Sequence, residues 1–530
     1  MEGTLWAFLP AVIAILLALI TKQVYVSLFL GVLVGAVMYT GGDPLNGLFT
    51  VFKVMSEKVG ANVPIIVFLI VLGILVVLMQ KSGGAKAYGN WAGKKIKSKS
   101  GALAATAGLG CLIFVDDYFN CLTVGSVMRP VTDKFKVSRS KLAYIIDATA
   151  APVCIIAPIS SWAAAVAGEL EGDGLMVFIS TIPFNVYALL TIIMVFALCF
   201  LKFDFGRMKR HERIAEKTGD LHGGVENDFI EEKEIHANPK GRVRDLIIPV
   251  VVLILCCIGG MIYTGYFYNW DTGLIGSEVQ SANVIEAFSN CDAGMSLAIG
   301  STIALVIISI YYMCAKVVSF KEITGSFVDG FKAMVPAILI LTFAWSISGI
   351  MGSKGGYLDA KAFVQNNLAG GGFPTWLFPF IFFILAGGIA FATGTSWGTF
   401  GVLVPIAVAI LGGSGTLTIM AVSATLGGAV FGDHVSPISD TTILASAGAQ
   451  SNHVEHVNTQ LPYAGLVAGI AAITYLIGGA CVSLGGVLSA VIMWVSALLL
   501  FAGVIALIMY LNKRNKGKTV LEVSDTEKTE

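Results

Sequence analysis

Phe114-Val115-Asp116-Asp117-Tyr118-Phe119-Asn120-Cys121-Leu122-Thr123 lies inside an apolar stretch that runs from 101 to 131. Two adjacent carboxylates there argue against an ordinary spanning helix, because a charge at bilayer depth costs roughly 2.5–3.5 kcal/mol on insertion scales. As a helix, the arm from Gly101 to Val115 would reach only about 22 Å, against a hydrocarbon core of roughly 30 Å. The stretch reads as a re-entrant hairpin with its polar tip at mid-membrane. A second apolar stretch, 373–413, is interrupted in the same way by Ala392-Thr393-Gly394-Thr395-Ser396-Trp397-Gly398-Thr399, and reads as a second hairpin.

Outside these two, apolar runs recur near 5–20, 24–41, 63–80, 142–168, 174–201, 244–265, 294–316, 335–352, 415–449, 461–482 and 485–511. This predicts an all-α polytopic membrane protein with about 11 spanning helices plus two hairpins. Composition agrees: the 530 residues are 56% hydrophobic and 13% charged, with mean hydropathy +0.81. A soluble domain carries about 25% charged residues, so most of this surface faces lipid. Zero net charge gives no reason to expect a nucleic-acid partner. Nine cysteines, without a CxxC pair and mostly within apolar runs, read as small buried hydrophobes. The run from Leu5 lacks a basic leading region and a small-residue cleavage pattern, and reads as a first membrane helix.

Lys and Arg in short loops set the orientation. The segment 81–99 holds six lysines, 133–141, 202–244 and the tail from Asn512 hold both Lys and Arg, and 266–293 has neither. The N-terminus is therefore expected outside and the C-terminus in the cytoplasm of a bacterial inner (plasma) membrane. The first helices of the two halves then run in opposite directions, as inverted repeats require. Matched pairs recur in order at a nearly constant offset: Val63-Pro64 with Val335-Pro336, Gly83-Gly84 with Gly355-Gly356, Ala148-Thr149 with Ala424-Thr425, and Pro158-Ile159-Ser160 with Pro437-Ile438-Ser439. The expected organisation is a first repeat over 1–201, a disordered cytoplasmic linker over 202–243, a second repeat over 244–482, an additional helix over 483–511 and a tail over 512–530. The stretches 44–60 and 319–333 read as short interfacial helices in equivalent places.

Inverted-repeat transporters place their sites where broken helices meet near the midplane. Four segments carry the chemistry for it. The first hairpin tip offers Asp116, Asp117, Asn120 and Thr123, with Asp116, Asn120 and Thr123 spaced for one helix face. The helix 142–168 is broken by Pro152 and Pro158, beside Asp147, Ser160 and Ser161. The second tip offers Gly394, Thr395, Ser396 and Thr399, where glycine allows close backbone approach and the hydroxyls are hard oxygen ligands. The fourth segment, Phe431-Gly432-Asp433-His434-Val435-Ser436-Pro437-Ile438-Ser439-Asp440-Thr441-Thr442, holds two carboxylates either side of a proline. His434 reads as the one membrane-embedded histidine, either a proton carrier or a packing group. His453 and His456 read as a solvated loop pair. Arg129 with Asp147 is a candidate charge pair, and Asp133 is expected near Lys134 or Lys141.

The segments 394–399 and 431–442 resemble the signature segments of NhaC-type sodium/proton antiporters. Asp117-Tyr118, Asn120, Met128-Arg129-Pro130 and Asp133 resemble the first-half counterpart. The resemblance implies sodium coupling and leaves the solute open, since the family includes a malate/lactate antiporter and amino-acid-carrier-like members. The expected function is Na+/H+ antiport by alternating access. The alternative is a sodium-coupled carrier or exchanger of an organic anion or amino acid. An enzyme is not expected, because neither a Ser/His/Asp nucleophile arrangement nor HExxH is present. Sodium is the coupling ion and no other metal or cofactor is implied. The expected partners are Na+, H+, a small organic solute and the lipid bilayer, with a homodimer left open.

Overall fold

A proline does not by itself end a helix in this chain. Pro130, Pro249, Pro336, Pro405 and Pro462 all lie inside helices. Neighbouring helices and local adjustment re-satisfy the freed backbone groups in such segments. The chain breaks where a proline is followed by a residue that caps the next helix, as at Pro158–Ser160 and Pro437–Ser439.

The structure is a computed structural model that describes residues 4–21, 23–170, 174–201, 203–224, 238–269, 274–275, 281, 287, 291–351, 357–359, 374–412 and 415–526, with the backbone alone beyond 514. The Gly355-Gly356 pair, the linker residues 225–237 and most of 270–290 lie outside them.

The first half opens with α1 (Leu9–Thr21), α2 (Val24–Tyr39) and α3 (Pro44–Ala61), the last bent by 119° from α2. Then come α4 (Val63–Ser82) and α5 (Gly84–Lys95). The first hairpin is α6 (Lys99–Leu112) and α7 (Asp117–Lys134). The broken helix follows as α8 (Arg139–Ala148), α9 (Ala151–Cys154) and α10 (Ser161–Glu169), and α11 (Gly174–Thr181) and α12 (Val186–Leu201) close the half. A linker helix, α13 (Gly206–Thr218), leads to α14 (Arg244–Phe267), α15 (Ala293–Cys314) and α16 (Phe320–Met351). The second hairpin is α17 (Phe378–Thr393) and α18 (Ser396–Leu411), and the second broken helix is α19 (Thr416–Val435) and α20 (Asp440–Ala449). The chain ends with α21 (His453–Ala480) and α22 (Gly486–Thr526).

Among the described residues, nine helices are long and apolar enough to cross a membrane, or ten if the bent α2–α3 pair counts as one span. The sequence count differs from this at 142–168, which is three short helices, at 5–20, which is shorter than a span, and at 375–393, the hairpin arm that is long enough to cross. The inverted relation of the halves remains an expectation.

Two elements depart from the sequence reading. The stretch 319–333 is not a separate interfacial helix; it is the first part of the 32-residue α16. At the matching point of the first half, Asn62 takes non-helical angles and bonds back to the Lys58 carbonyl, so α3 and α4 separate there. The expected disorder of the linker does not hold for 203–224, because α13 is docked on the lysine-rich ends of the core helices. Glu212 pairs with Lys99 at 2.6 Å and accepts the Ser138 amide at 2.8 Å. Lys141 pairs with Asp204 at 2.9 Å. Buried His211 bridges Ser140 at 3.1 Å and Glu455 at 3.3 Å, and burial holds its imidazole below the ordinary range despite that glutamate. These charges are satisfied by one another, which is the condition for burying them.

The broken helices pack across the halves: α20 lies on α7 and α8, and α10 lies on α16 and α18. The α7–α20 contact needs glycine. A methyl on Gly125 would come within 2.4 Å of the Gly448 carbonyl carbon, so the two backbones touch, as small residues permit between membrane helices.

Candidate ion-binding site

Four helices begin at one place, each with a side-chain cap. Asp116 caps α7 through the Phe119 amide (2.9 Å), Ser160 caps α10 through Ala163 (3.0 Å), Thr395 caps α18 through Gly398 (3.2 Å), and Ser439 caps α20 through Thr442 (3.2 Å). Two of these helices are hairpin arms and two are the outer pieces of broken helices, so both halves contribute to one cluster. The Ser161 amide donates to the Val115 carbonyl at 3.0 Å and ties the first tip to α10. Gly394 does the same for the second tip. Its φ of +70° is a left-handed turn, and a Cβ there would lie 2.4 Å from the Ile438 carbonyl oxygen. Only glycine meets both demands.

The cluster has two lobes. In the first, Asp117 is fully buried, and its Oδ2 accepts the Trp162 indole N–H at 2.9 Å. Among the described residues, Asp116 keeps one oxygen, Oδ2, without a hydrogen-bond partner, and the hydroxyls of buried Ser161 and Thr123 also lack one. In the second lobe, Asp433 Oδ2 accepts the hydroxyls of Thr441 (2.8 Å) and Ser396 (3.2 Å), while Oδ1 has no hydrogen-bond partner among the described residues. Thr442 joins this lobe to Asp147, donating to its Oδ2 at 3.1 Å. Gln460 reaches the same Asp147 oxygen and the His434 carbonyl, both at 2.7 Å, and His456 lies 3.4 Å from it. Aromatic rings tilted against one another join the lobes, Trp162 lying 5.6 Å from Trp397 and 5.0 Å from Phe400. Tyr118 is within electrostatic reach of Asp116, Asp117, Asp433 and Asp440, so carboxylates of both halves share one neighbourhood.

The remaining sequence candidates divide. Asn120 does not face the cluster with a free amide; its Nδ2 lies within 3.0 Å of the carbonyls of Gly110, Ile113 and Thr149, at the ends of α6 and α8. Thr399 bonds back to the Thr395 carbonyl at 2.8 Å, and the Ser160 hydroxyl lies 2.8 Å from the Cys154 carbonyl. Ser436 is buried, its hydroxyl accepting from Ile438 at 3.4 Å. His434 is buried against the Tyr187 hydroxyl at 2.9 Å. Asp440 is exposed at the start of α20, without a hydrogen-bond partner among the described residues.

Three readings are corrected here. His456 is not solvated: it is completely buried beside Asp147, so His434 is not the one embedded histidine. Arg129 does not pair with Asp147, whose Oδ2 meets Thr442, Gln460 and His456. Asp133 pairs with Arg139 at 2.9 Å, not with a lysine, and Arg139 also donates to the last carbonyl of α20, at Ala449. Gln460 and Trp162 were missed as site residues. The signal available for Gln460 was its position four residues after His456, which puts both on one helix face.

The model of the Na+/H+ antiporter family matches residues 163–480, more than half of the chain. The chain belongs to that family. A citrate transporter model also matches this family member, over residues 13–288. An uncharacterised Haemophilus influenzae protein is 39% identical over 497 residues, 90% of this chain and 91% of that protein. The malate-2H+/Na+-lactate antiporter of Bacillus subtilis is 32% identical over 154 residues, 27% of this chain and 30% of that protein. The crystal structure of the Alcanivorax borkumensis YdaH transporter aligns with 88% of this chain and 98% of its own at a TM-score of 0.43 and 15% identity.

Membership of this family makes the chain a multi-pass membrane transporter. Replacing Trp162 by phenylalanine keeps an aromatic ring against Trp397 and Phe400 and removes the donor to Asp117. A hydrogen bond to a charged group contributes about 1.5–3 kcal/mol, so the variant should be less stable than the wild type by about that amount. The melting temperature in detergent checks this, and an unchanged value would show that this bond does not hold the first lobe together.

Proposed function

We propose that the chain exchanges Na+ for H+ by alternating access, with the cation held between Asp433, Asp147 and the two hairpin tips. One observation carries this reading. Asp116, Asp117, Asp147 and Asp433 are all buried, and none has a Lys or Arg ion-pair partner among the described residues. Their partners are hydroxyls, an indole, an amide, backbone N–H groups and a histidine. Such donors cannot neutralise four carboxylates, and an uncompensated buried charge is costly. A cluster of this kind takes up a small cation, and sodium and the proton compete for the same oxygens. That competition is the thermodynamic minimum for exchange.

The division of the cluster between halves supplies the conformational part. Asp433 is held by Ser396 of the second hairpin, and Asp147 of the first half by Thr442 of α20. A shift of one hairpin or broken helix against the other would change the oxygen set, and differential affinity of two states for a ligand is what couples it to the change.

Four helix N-termini at one place favour a second reading, in which an organic carboxylate accompanies the cation. The partial similarity to a malate-2H+/Na+-lactate antiporter supports the same alternative. Purified protein in liposomes separates the two. An imposed sodium gradient should move protons, reported by a trapped pH-sensitive dye, without organic solute. Proton movement that appears only when malate or lactate is added would replace the first reading with the second.

A further inference from the structure

Glu169 ends α10, eight residues beyond Ser161, which places it about 12 Å from the central cluster along the helix. It lies on the side away from the lysine-rich ends where α8 begins. Its side chain is buried, and neither carboxyl oxygen has a hydrogen-bond partner among the described residues. The walls come from both halves. Gly401 of α18 lies so close that a Cβ there would be 4.0 Å from Glu169 Oε1. Trp345 of α16 packs on the adjacent Gly168, and its indole N–H is also buried without a partner. Among the described residues, the charged group within electrostatic reach is Lys58 of α3, itself half-buried and laid against Gly349 of α16. The other elements packed on α10, namely α4, α9, α11, α15 and α18, present no charged group within that reach among the described residues.

A sodium ion needs several oxygen ligands, and this pocket offers two from a single side chain. A proton needs one. We infer that Glu169 is a second proton-binding station, separate from the central cluster and lying between it and the membrane face at which α10 ends. In the closed packing seen here the carboxyl is neutral: a proton from water forms an O–H bond on one carboxylate oxygen, so no charge is buried. When α16 and α18 move away from α10, water reaches the group and the O–H bond breaks, returning the proton to solvent. The station thus deepens the exchange proposed above and rests on it for its role in transport, though not for its protonation.

Glu169→Gln mimics the protonated state and fills the same space. In proteoliposomes, uptake of radiolabelled sodium driven by a proton gradient should fall roughly a hundredfold, the low end for removing a proton-transfer group. Sodium/sodium exchange, which moves no proton, should persist. The infrared difference between wild type and variant at neutral pH should contain the carbonyl band of a protonated carboxylic acid. Wild-type proton-driven uptake by the variant, loss of sodium/sodium exchange along with it, or a difference spectrum holding only ionised-carboxylate bands would each overturn the inference. If the wild type moves no protons with sodium, the exchange reading fails while the infrared result still decides the state of Glu169.

Discussion

Asp433→Asn should nearly abolish sodium-driven transport while leaving the protein folded. Asp433 occupies the last turn of α19, two residues before its end at Val435. The negative end of the helix dipole lies there, an unfavourable place for a carboxylate. Burial adds a desolvation cost, and the two hydroxyls of Ser396 and Thr441 are its side-chain donors. A cation is therefore what this carboxylate lacks most. Asp116, Asp117 and Asp440 sit at helix N-termini, where the dipole favours negative charge. Asparagine has the same shape, and its amide oxygen can still accept from both hydroxyls. Losing the charge-assisted contact with the ion costs about 2–3 kcal/mol, or roughly 100-fold in affinity. Transport by Asp433→Asn should fall to about a fiftieth of wild type at sodium concentrations near the wild-type KM, with an unchanged melting temperature. Asp440→Asn, exposed and dipole-stabilised, should be the milder variant. Equal transport by Asp433→Asn and wild type would move the site away from α19.

The hairpins and breaks were legible because their signals are local. An apolar stretch interrupted at its centre by Asp116-Asp117 or Gly394-Thr395-Ser396 announces a tip, and at the first one the arm is also too short to span. Pro158 and Pro437 each precede a serine that caps the next helix. The same logic misled at Val335-Pro336, where no cap follows and α16 continues through the proline. Polar composition misled at 450–460. Gln450 through Gln460 reads as loop, yet from His453 onward it forms the first turns of α21 because its polar face meets Asp147. What makes those side chains buriable is a carboxylate three hundred residues earlier in the chain, and no local pattern carries that. The expectation of disorder over 203–224 failed for the same reason. The charges there look like those of a solvated segment until Lys99, Lys141 and Glu455 are in place to pair with them.

The largest loss of stability is expected at Asn120, a residue the sequence assigned to the ion. The last carbonyls of a helix have no partner within it, and here the ends of α6 and α8 converge on one point inside the membrane. Asn120 is fully buried there, with its amide nitrogen 2.7 Å from the Gly110 carbonyl, 2.9 Å from that of Thr149 and 3.0 Å from that of Ile113. The amide carries two hydrogens, so one is shared, and the group holds the first hairpin against the broken helix. Space for rearrangement is absent, since a methyl on Gly110 would lie 2.1 Å from the Thr149 hydroxyl. Asn120→Asp is nearly isosteric but turns the donor into an acceptor. Three carbonyl oxygens would then face either a carboxylate or, after protonation, a single O–H. Removing one partner of a buried polar group costs about 1–3 kcal/mol for each group left unsatisfied, so two or more orphaned carbonyls make a loss of roughly 3–5 kcal/mol. Asn120→Asp should melt well below the wild type in detergent, and most of it should elute as aggregate in size-exclusion chromatography. Asn120→Gln, which keeps the amide, should recover part of that loss. An Asn120→Asp protein that melts with the wild type and fails only in transport would return Asn120 to the ion site and leave the α6–α8 junction to be held by other contacts.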